Sequence, residues 1–106
     1  MDGSPIAPAP IFEPKEGQEP TVIYCNQVRI STSVWDVVID IGQAATTEMH
    51  QGAGGQMVIP VDYKARVMMS PQHAKALNQL LAQNLQQYES LFGEINITPP
   101  VSPEGK

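Results

Sequence analysis

One join constrains this chain more than any other feature. Residues 61–69 alternate, with Val61, Tyr63, Ala65, Val67 and Met69 on one parity and Asp62, Lys64, Arg66 and Met68 on the other. A period of two marks a strand with one face turned inward and one turned to water. The alternation stops at Ser70-Pro71. Serine suits a helix N-cap, because its hydroxyl accepts from first-turn amides, and proline suits the first helical position, where no amide is needed. Beyond the join, Ala74, Leu77, Leu81, Leu85, Tyr88 and Phe92 recur every three or four residues. Leu80 and Leu91 widen that stripe and Asn84 interrupts it, while Lys75, Gln79, Gln83, Gln86, Gln87 and Glu89 form the polar side. Gly93 stands where a glycine commonly ends a helix. The spacing predicts an amphipathic helix of about 22 residues, about 33 Å long.

The segments upstream read as sheet for this helix to cover. In residues 21–32, Val22, Tyr24, Asn26, Val28 and Ile30 share one parity, and Ile23, Cys25, Gln27 and Arg29 share the other. This is a half-buried strand in which Asn26 is a polar exception that needs a hydrogen-bond partner. A second alternation follows, with Trp35, Val37, Ile39 and Ile41 opposed to Asp36, Val38 and Asp40. A turn centred on Thr32-Ser33 pairs Ile30 with Trp35, Val28 with Val37 and Arg29 with Asp36, so apolar meets apolar and cation meets anion. That turn carries no Asn-Gly or Asp-Gly signal. With the second strand central, Asp36 and Asp40 lie between Arg29 on one side and Lys64 and Arg66 on the other. The expectation is a cross-strand ion ladder on the solvent face, read either as a solvated face or as a charged interaction surface.

Residues 43–59 read as a loop or hairpin tip containing Gly52-Ala53-Gly54-Gly55. No Lys-Ser or Lys-Thr and no helical pattern follows, so this is not a phosphate loop. Residues 1–20 hold five of the ten prolines. They read as an extended or disordered arm, with Ile6, Ile11 and Phe12 as apolar pegs for a neighbouring subunit. Residues 21–97 form the expected domain, with a short return strand from 94 to 98, and residues 98–106 form a proline-containing tail.

A globular middle of about 78 residues buries only about 60–65% of its unfolded surface and is marginal as a monomer. Net charge is −5, with six basic residues against eleven acids. Nucleic acid and anionic membranes both select clustered Lys and Arg, so neither is an expected partner. No apolar run reaches the roughly 20 residues of a membrane span, and the N-terminus lacks a secretory pattern. One cysteine, Cys25, leaves no internal disulfide. The expected location is the cytoplasm.

Reactive constellations are few. His50 and His73 stand alone, without a second ligand at metal spacing, and no metal or cofactor is expected. Cys25 would need a neighbouring base, and His73 near a helix start supplies the best enzyme hypothesis, a Cys25–His73 dyad. Asp36 and Asp40 share a strand face, but basic neighbours lower carboxylate pKa values and favour structural pairing over acid–base work.

Several motifs in combination carry a resemblance. Tyr24-x-Asn26-x-Val28 is followed by Ser33-x-x-Asp36-Val37-x-Ile39-Asp40-Ile41-Gly42. Then come Ala65-Arg66-Val67-Met68-Met69-Ser70-Pro71-x-His73-Ala74-Lys75-x-Leu77 and Asn84-Leu85-x-x-Tyr88-Glu89-x-x-Phe92-Gly93. Over about residues 22–95, leaving out both tails and the middle loop, the chain resembles the small bacterial domain-of-unknown-function family 3467. That family typically shows Asp-Phe-x-Leu-Asp-Phe-Gly in its second strand and Ser-Pro-x-His-Ala-Lys at its helix start. Val37 and Ile41 replace aromatics here, which implies local repacking. The resemblance implies no activity and assigns no role to His73 or Lys75.

The chain therefore reads as an α+β unit. A three-stranded antiparallel β-meander is followed by one long C-terminal amphipathic helix packed on one face. Two open sheet edges, small size and an overlong helix favour a homo-oligomer, with a symmetric dimer as the default. Leu80, Asn84 and Leu91 on the helix, with Ile11 and Phe12 in the arm, are the candidate interface. The expected function is a non-enzymatic assembly module or a module that binds another protein. A holdase-like chaperone is the alternative, on a loose likeness to the SecB export chaperone and on Met49, Met57, Met68 and Met69 as adaptable contacts. An enzyme using Cys25 is the second alternative.

Overall fold

The computed structural model describes residues 7–98. Residues 1–6, including Ile6, and the tail from 99 to 106 lie outside the described residues. In chain order the elements are β1 (Gln27–Thr32), β2 (Val37–Ala44), a 3-10 turn (Thr46–Glu48), β3 (His50–Gln51), β4 (Met57–Val58), β5 (Val61–Met69) and α1 (Pro71–Phe92). The main sheet is antiparallel with order β1-β2-β5, and β3 and β4 form a separate two-stranded hairpin. The α+β class and the sequence of a three-stranded antiparallel meander followed by one C-terminal helix are those expected.

The pairing of β1 with β2 differs from expectation by four residues. Ile30 faces Ile39, Val28 faces Ile41 and Arg29 faces Asp40. Thr32 is joined to Val37 by a four-residue loop organised by Ser33. Its hydroxyl accepts from Trp35 N at 3.2 Å and Asp36 N at 3.1 Å, and its own amide donates to Asp36 O at 2.8 Å. Trp35 and Asp36 thus belong to the loop, and Trp35 is exposed. An even shift leaves every side chain on the face its parity assigns. Val28, Ile30, Val37 and Ile39 therefore still share a face.

The first strand is also shorter than expected. Residues 21–25 have no regular structure, and Val22 and Tyr24 are exposed. Asn26 closes the end of the sheet: its amide donates to Gly42 O at 3.1 Å, and its side-chain Oδ1 accepts from Ala44 N at 2.8 Å. The polar exception on the apolar parity is a hydrogen-bonding bracket at the strand end.

Between β2 and β5 the register runs Val37–Met69, Ile39–Val67 and Ile41–Ala65, then shifts so that Gly42 faces Tyr63. Lys64 is the extra residue of this bulge. Bulges re-aim side chains, and here Tyr63 leaves the apolar parity for the charged face. Gly42 sits in a tight place, since a Cβ on it would lie 2.8 Å from Asp62 O and 2.9 Å from Tyr63 Cδ1. The loop from 45 to 60 is tied at its base by Ala45 N donating to Pro60 O at 2.8 Å, and Gly52 N donates to Gln56 O at 2.7 Å at its tip.

Helix α1 begins and ends as its sequence dictates. Ser70 Oγ accepts from His73 N at 3.1 Å, Pro71 takes the first position, and Gly93 (φ 102°) donates to Glu89 O at 2.8 Å. Residues 94–98 form no strand. The Glu89 carboxylate instead accepts from Ile95 N at 2.9 Å.

The expectation that α1 packs on one face of the sheet does not hold. No residue of α1 is buried, and the helix makes no substantial contact with any strand. The physical reason lies in the join. Only Ser70 separates Met69 from Pro71, and it is extended (φ −69°, ψ 155°). Laying the helix back over its own sheet requires a chain reversal, and strand–helix connections that achieve one run to about 2–6 residues. The molecule measures 70 × 35 × 33 Å with a radius of gyration of 20.6 Å, against about 13 Å for a compact chain of this size. Among the described residues no hydrophobic side chain is buried.

Candidate functional site

The buried charged side chain among the described residues is Asp40, 5% exposed. It lies at the middle of β2 on the face opposite Ile39, between Arg29 of β1 and Arg66 of β5. Arg29 donates to Oδ2 from Nε at 2.9 Å and from Nη2 at 2.7 Å. Arg66 donates from Nε to Oδ1 at 2.7 Å and from Nη2 to Oδ2 at 3.1 Å. Both carboxylate oxygens are therefore held by charge-assisted hydrogen bonds, the strong kind. Water is kept from Asp40 by two guanidinium groups, not by an apolar interior.

The hydrogen bonds from Arg66, then those from Arg29, hold the Asp40 carboxyl down at about 2, against an ordinary 3.8, with reduced contact with water opposing them. At neutral pH Asp40 is ionised and does not serve as a proton donor. The Arg29 guanidinium also lies 4.2 Å from the centroid of the Tyr63 ring, a cation–π distance that the bulge makes possible. Tyr63, Lys64 and Ala65 join Arg29, Asp40 and Arg66 around a shallow hollow of about 330 Å³. Two guanidinium groups against one carboxylate leave this face locally positive on an acidic chain.

Of the five residues expected in the ion ladder, the structure brings together Arg29, Asp40 and Arg66. Asp36 is in the β1–β2 loop, away from them. Lys64 pairs with its strand neighbour Asp62 at 3.3 Å. The misplacement of Asp36 follows from the four-residue register shift, and that of Lys64 from the bulge. Tyr63 is the member of this site that sequence reasoning missed. Its alternation with Ala65 and Val67 pointed the wrong way, and the nearest signal was Gly42, which marks a close approach of strands.

The candidate interface residues are all exposed. Ile11 and Phe12 in the arm are 83% and 92% exposed, and Leu80 and Leu91 on α1 are exposed as well. Asn84 donates to Leu80 O at 2.9 Å within its own helix. Leu77, Leu81 and Leu85, the residues expected to cover the sheet, are less exposed than these but are open to solvent as well. The whole stripe is open.

Cys25 and His73 do not meet. Cys25 precedes Asn26, which bonds to Ala44 at one end of β2, while His73 follows Met69, which faces Val37 at the other end. The seven steps from Val37 to Ala44 span about 23 Å at 3.3 Å per residue. His50 Nδ1 lies 3.2 Å from Glu48 O in the exposed loop. No cluster of three or more His, Cys, Asp or Glu with metal-binding geometry occurs among the described residues. Among those residues no helix is long and apolar enough to cross a membrane.

The bulge opposite Gly42, the Asp40 bracket and the Ser70-Pro71 helix start all fall within the match to one family model, Protein of unknown function (DUF3467), over residues 9–97. The chain belongs to that family. The match runs from residue 9 to residue 97, so it takes in the middle loop and the part of the arm that the resemblance left out. No curated protein and no solved structure matches the chain. Membership in DUF3467 brings no assigned chemistry.

Proposed function

We propose that this DUF3467 member is a non-enzymatic assembly module that completes its fold by self-association, as a dimer or a larger homo-oligomer, in the cytoplasm. One observation carries the reading. The chain has regular secondary structure, with α1 capped at both ends, and yet buries no hydrophobic side chain among the described residues. Its accessible surface is 9969 Å², against about 5,800 Å² for a compact monomer of its mass. Burial of apolar surface is the main favourable contribution to folding. A sheet with an open aliphatic face and a helix with an open leucine stripe obtain that burial from another chain.

Light scattering after size exclusion, with thermal unfolding followed across protein concentration, tests this. A dimer or larger species whose Tm rises with concentration is expected, because association stabilises by mass action. A folded monomer with a concentration-independent Tm overturns the reading.

The exposure of Met49, Met57 and Met68 supports a second reading, a holdase that offers the same open surface to unfolded chains. Suppression of client aggregation at stoichiometric amounts would favour it, and full aggregation of the client in its presence would exclude it.

A further inference from the structure

We propose that the chain dimerises by reciprocal exchange, α1 of each copy lying on the Ile39 face of the other copy's sheet. This deepens the self-association reading and rests on it. Four observations carry it. First, α1 cannot return to its own sheet, because the single extended residue Ser70 carries the chain onward and its hydroxyl is committed to His73 N.

Second, the two open surfaces match in chemistry. Ile30, Ile39 and Val67 lie side by side across the three strands, flanked by Val28 with Ile41 and Ala65, and by Val37 with Met69. This patch holds no charge. The stripe from Leu77 through Leu81 and Leu85 to Tyr88 is likewise uncharged and exposed.

Third, they match in size. A nine-residue strand such as β5 spans about 30 Å, and a 22-residue helix such as α1 spans about 33 Å.

Fourth, only exchange covers everything. Pairing helix with helix leaves both sheet faces in water, and pairing sheet with sheet leaves both helices there. A two-fold exchange covers both surfaces of both copies by making one contact twice, and swapping an identical element is a low-cost route to a dimer.

Ile39 is central in the sheet and Leu81 is central in the helix, so the two mark the expected contact. In a Cys25→Ser background, chains carrying Ile39→Cys or Leu81→Cys are unfolded, mixed in equal amounts, refolded together and oxidised. A disulfide-linked dimer is expected from the mixture and not from either variant alone. Linkage of Leu81→Cys with itself, or of Ile39→Cys with itself, overturns the exchange while leaving self-association standing. A wild-type monomer by light scattering removes both. Should the variants fail to fold, isotope-filtered NOE spectra of mixed labelled and unlabelled wild-type protein decide. Methyl contacts between Ile39 and Leu81 across chains are expected. A dimer in which Ile39 instead contacts Phe12, or in which its contact with Leu81 lies within one chain or is missing, overturns the proposal.

Discussion

Arg66 holds Asp40 across β2 and β5 with two hydrogen bonds, Nε to Oδ1 at 2.7 Å and Nη2 to Oδ2 at 3.1 Å, while Arg29 occupies Oδ2 from the opposite strand. One carboxylate thus ties all three strands of the sheet together. Asp40→Asn removes the anion and leaves two guanidinium groups facing each other on one sheet face. The expected outcome is a lower Tm that rises again when salt screens the repulsion. Arg66→Lys should not restore the wild-type value, because an ammonium lacks the planar two-donor fork. Thermal unfolding at low and high ionic strength checks both.

Acid should unfold the sheet through the same residue. The Asp40 carboxyl is held near 2 in the fold against 3.8 for the free side chain. A depressed folded-state value means that the contribution is fully present above the unfolded pKa and is lost as pH falls through the folded one. Stability should therefore drop between about pH 4 and pH 2. In Asp40→Asn the drop across that window should be smaller. Urea midpoints measured across the window test this, and an unchanged pH dependence in the variant would refute it.

Ser70→Ala should cost about 1 kcal/mol, within the usual range of about 0.5–2 for a lost N-cap. Ser70→Asp should recover most of that, since a carboxylate also accepts from the amide of His73 and suits the positive end of the helix. Urea denaturation followed by helical ellipticity gives both values.

Gly42→Ala should destabilise by about 1–3 kcal/mol, the scale of an overpacked site. The added methyl would meet the Asp62 carbonyl and the Tyr63 ring inside 3 Å, and relief requires moving backbone at the bulge. The Tyr63 ring should then leave Arg29, which chemical shifts of the Arg29 side chain would report.

Asn26→Ala should cost about 1 kcal/mol, the usual net contribution of an intramolecular hydrogen bond, by freeing the Ala44 amide at the strand end. Faster hydrogen exchange at Ala44, with Ile39 unaffected, would locate the effect.

Much of the architecture was legible along the chain because it depends on local rules. Period-two alternation placed β2 and β5, the Ser70-Pro71 start and Gly93 stop bounded α1, and parity assigned Ile39 and Asp40 to opposite faces. Those features follow from backbone geometry and from caps within a few residues. Register was not legible, because residues 33–36 carry no strong turn signal and an even shift satisfies the same hydrophobic pattern. Asp36 was therefore expected where Asp40 stands. Tyr63 escaped because a bulge, unlike a strand, has no period.

By itself the sequence determined that residues 27–32, 37–41 and 61–69 are strand and 71–92 helix, and, Tyr63 at the bulge apart, which of their faces are apolar. Tertiary structure alone decided that the sheet face and the helix stripe do not meet within the chain. The leucine stripe of α1 reads as a roof for its own sheet because an apolar stripe and an apolar sheet face are complementary. Complementarity does not say whether both belong to one chain. The single extended residue between Met69 and Pro71 offers no reversal, and so the helix leads away from the sheet that its own sequence suits.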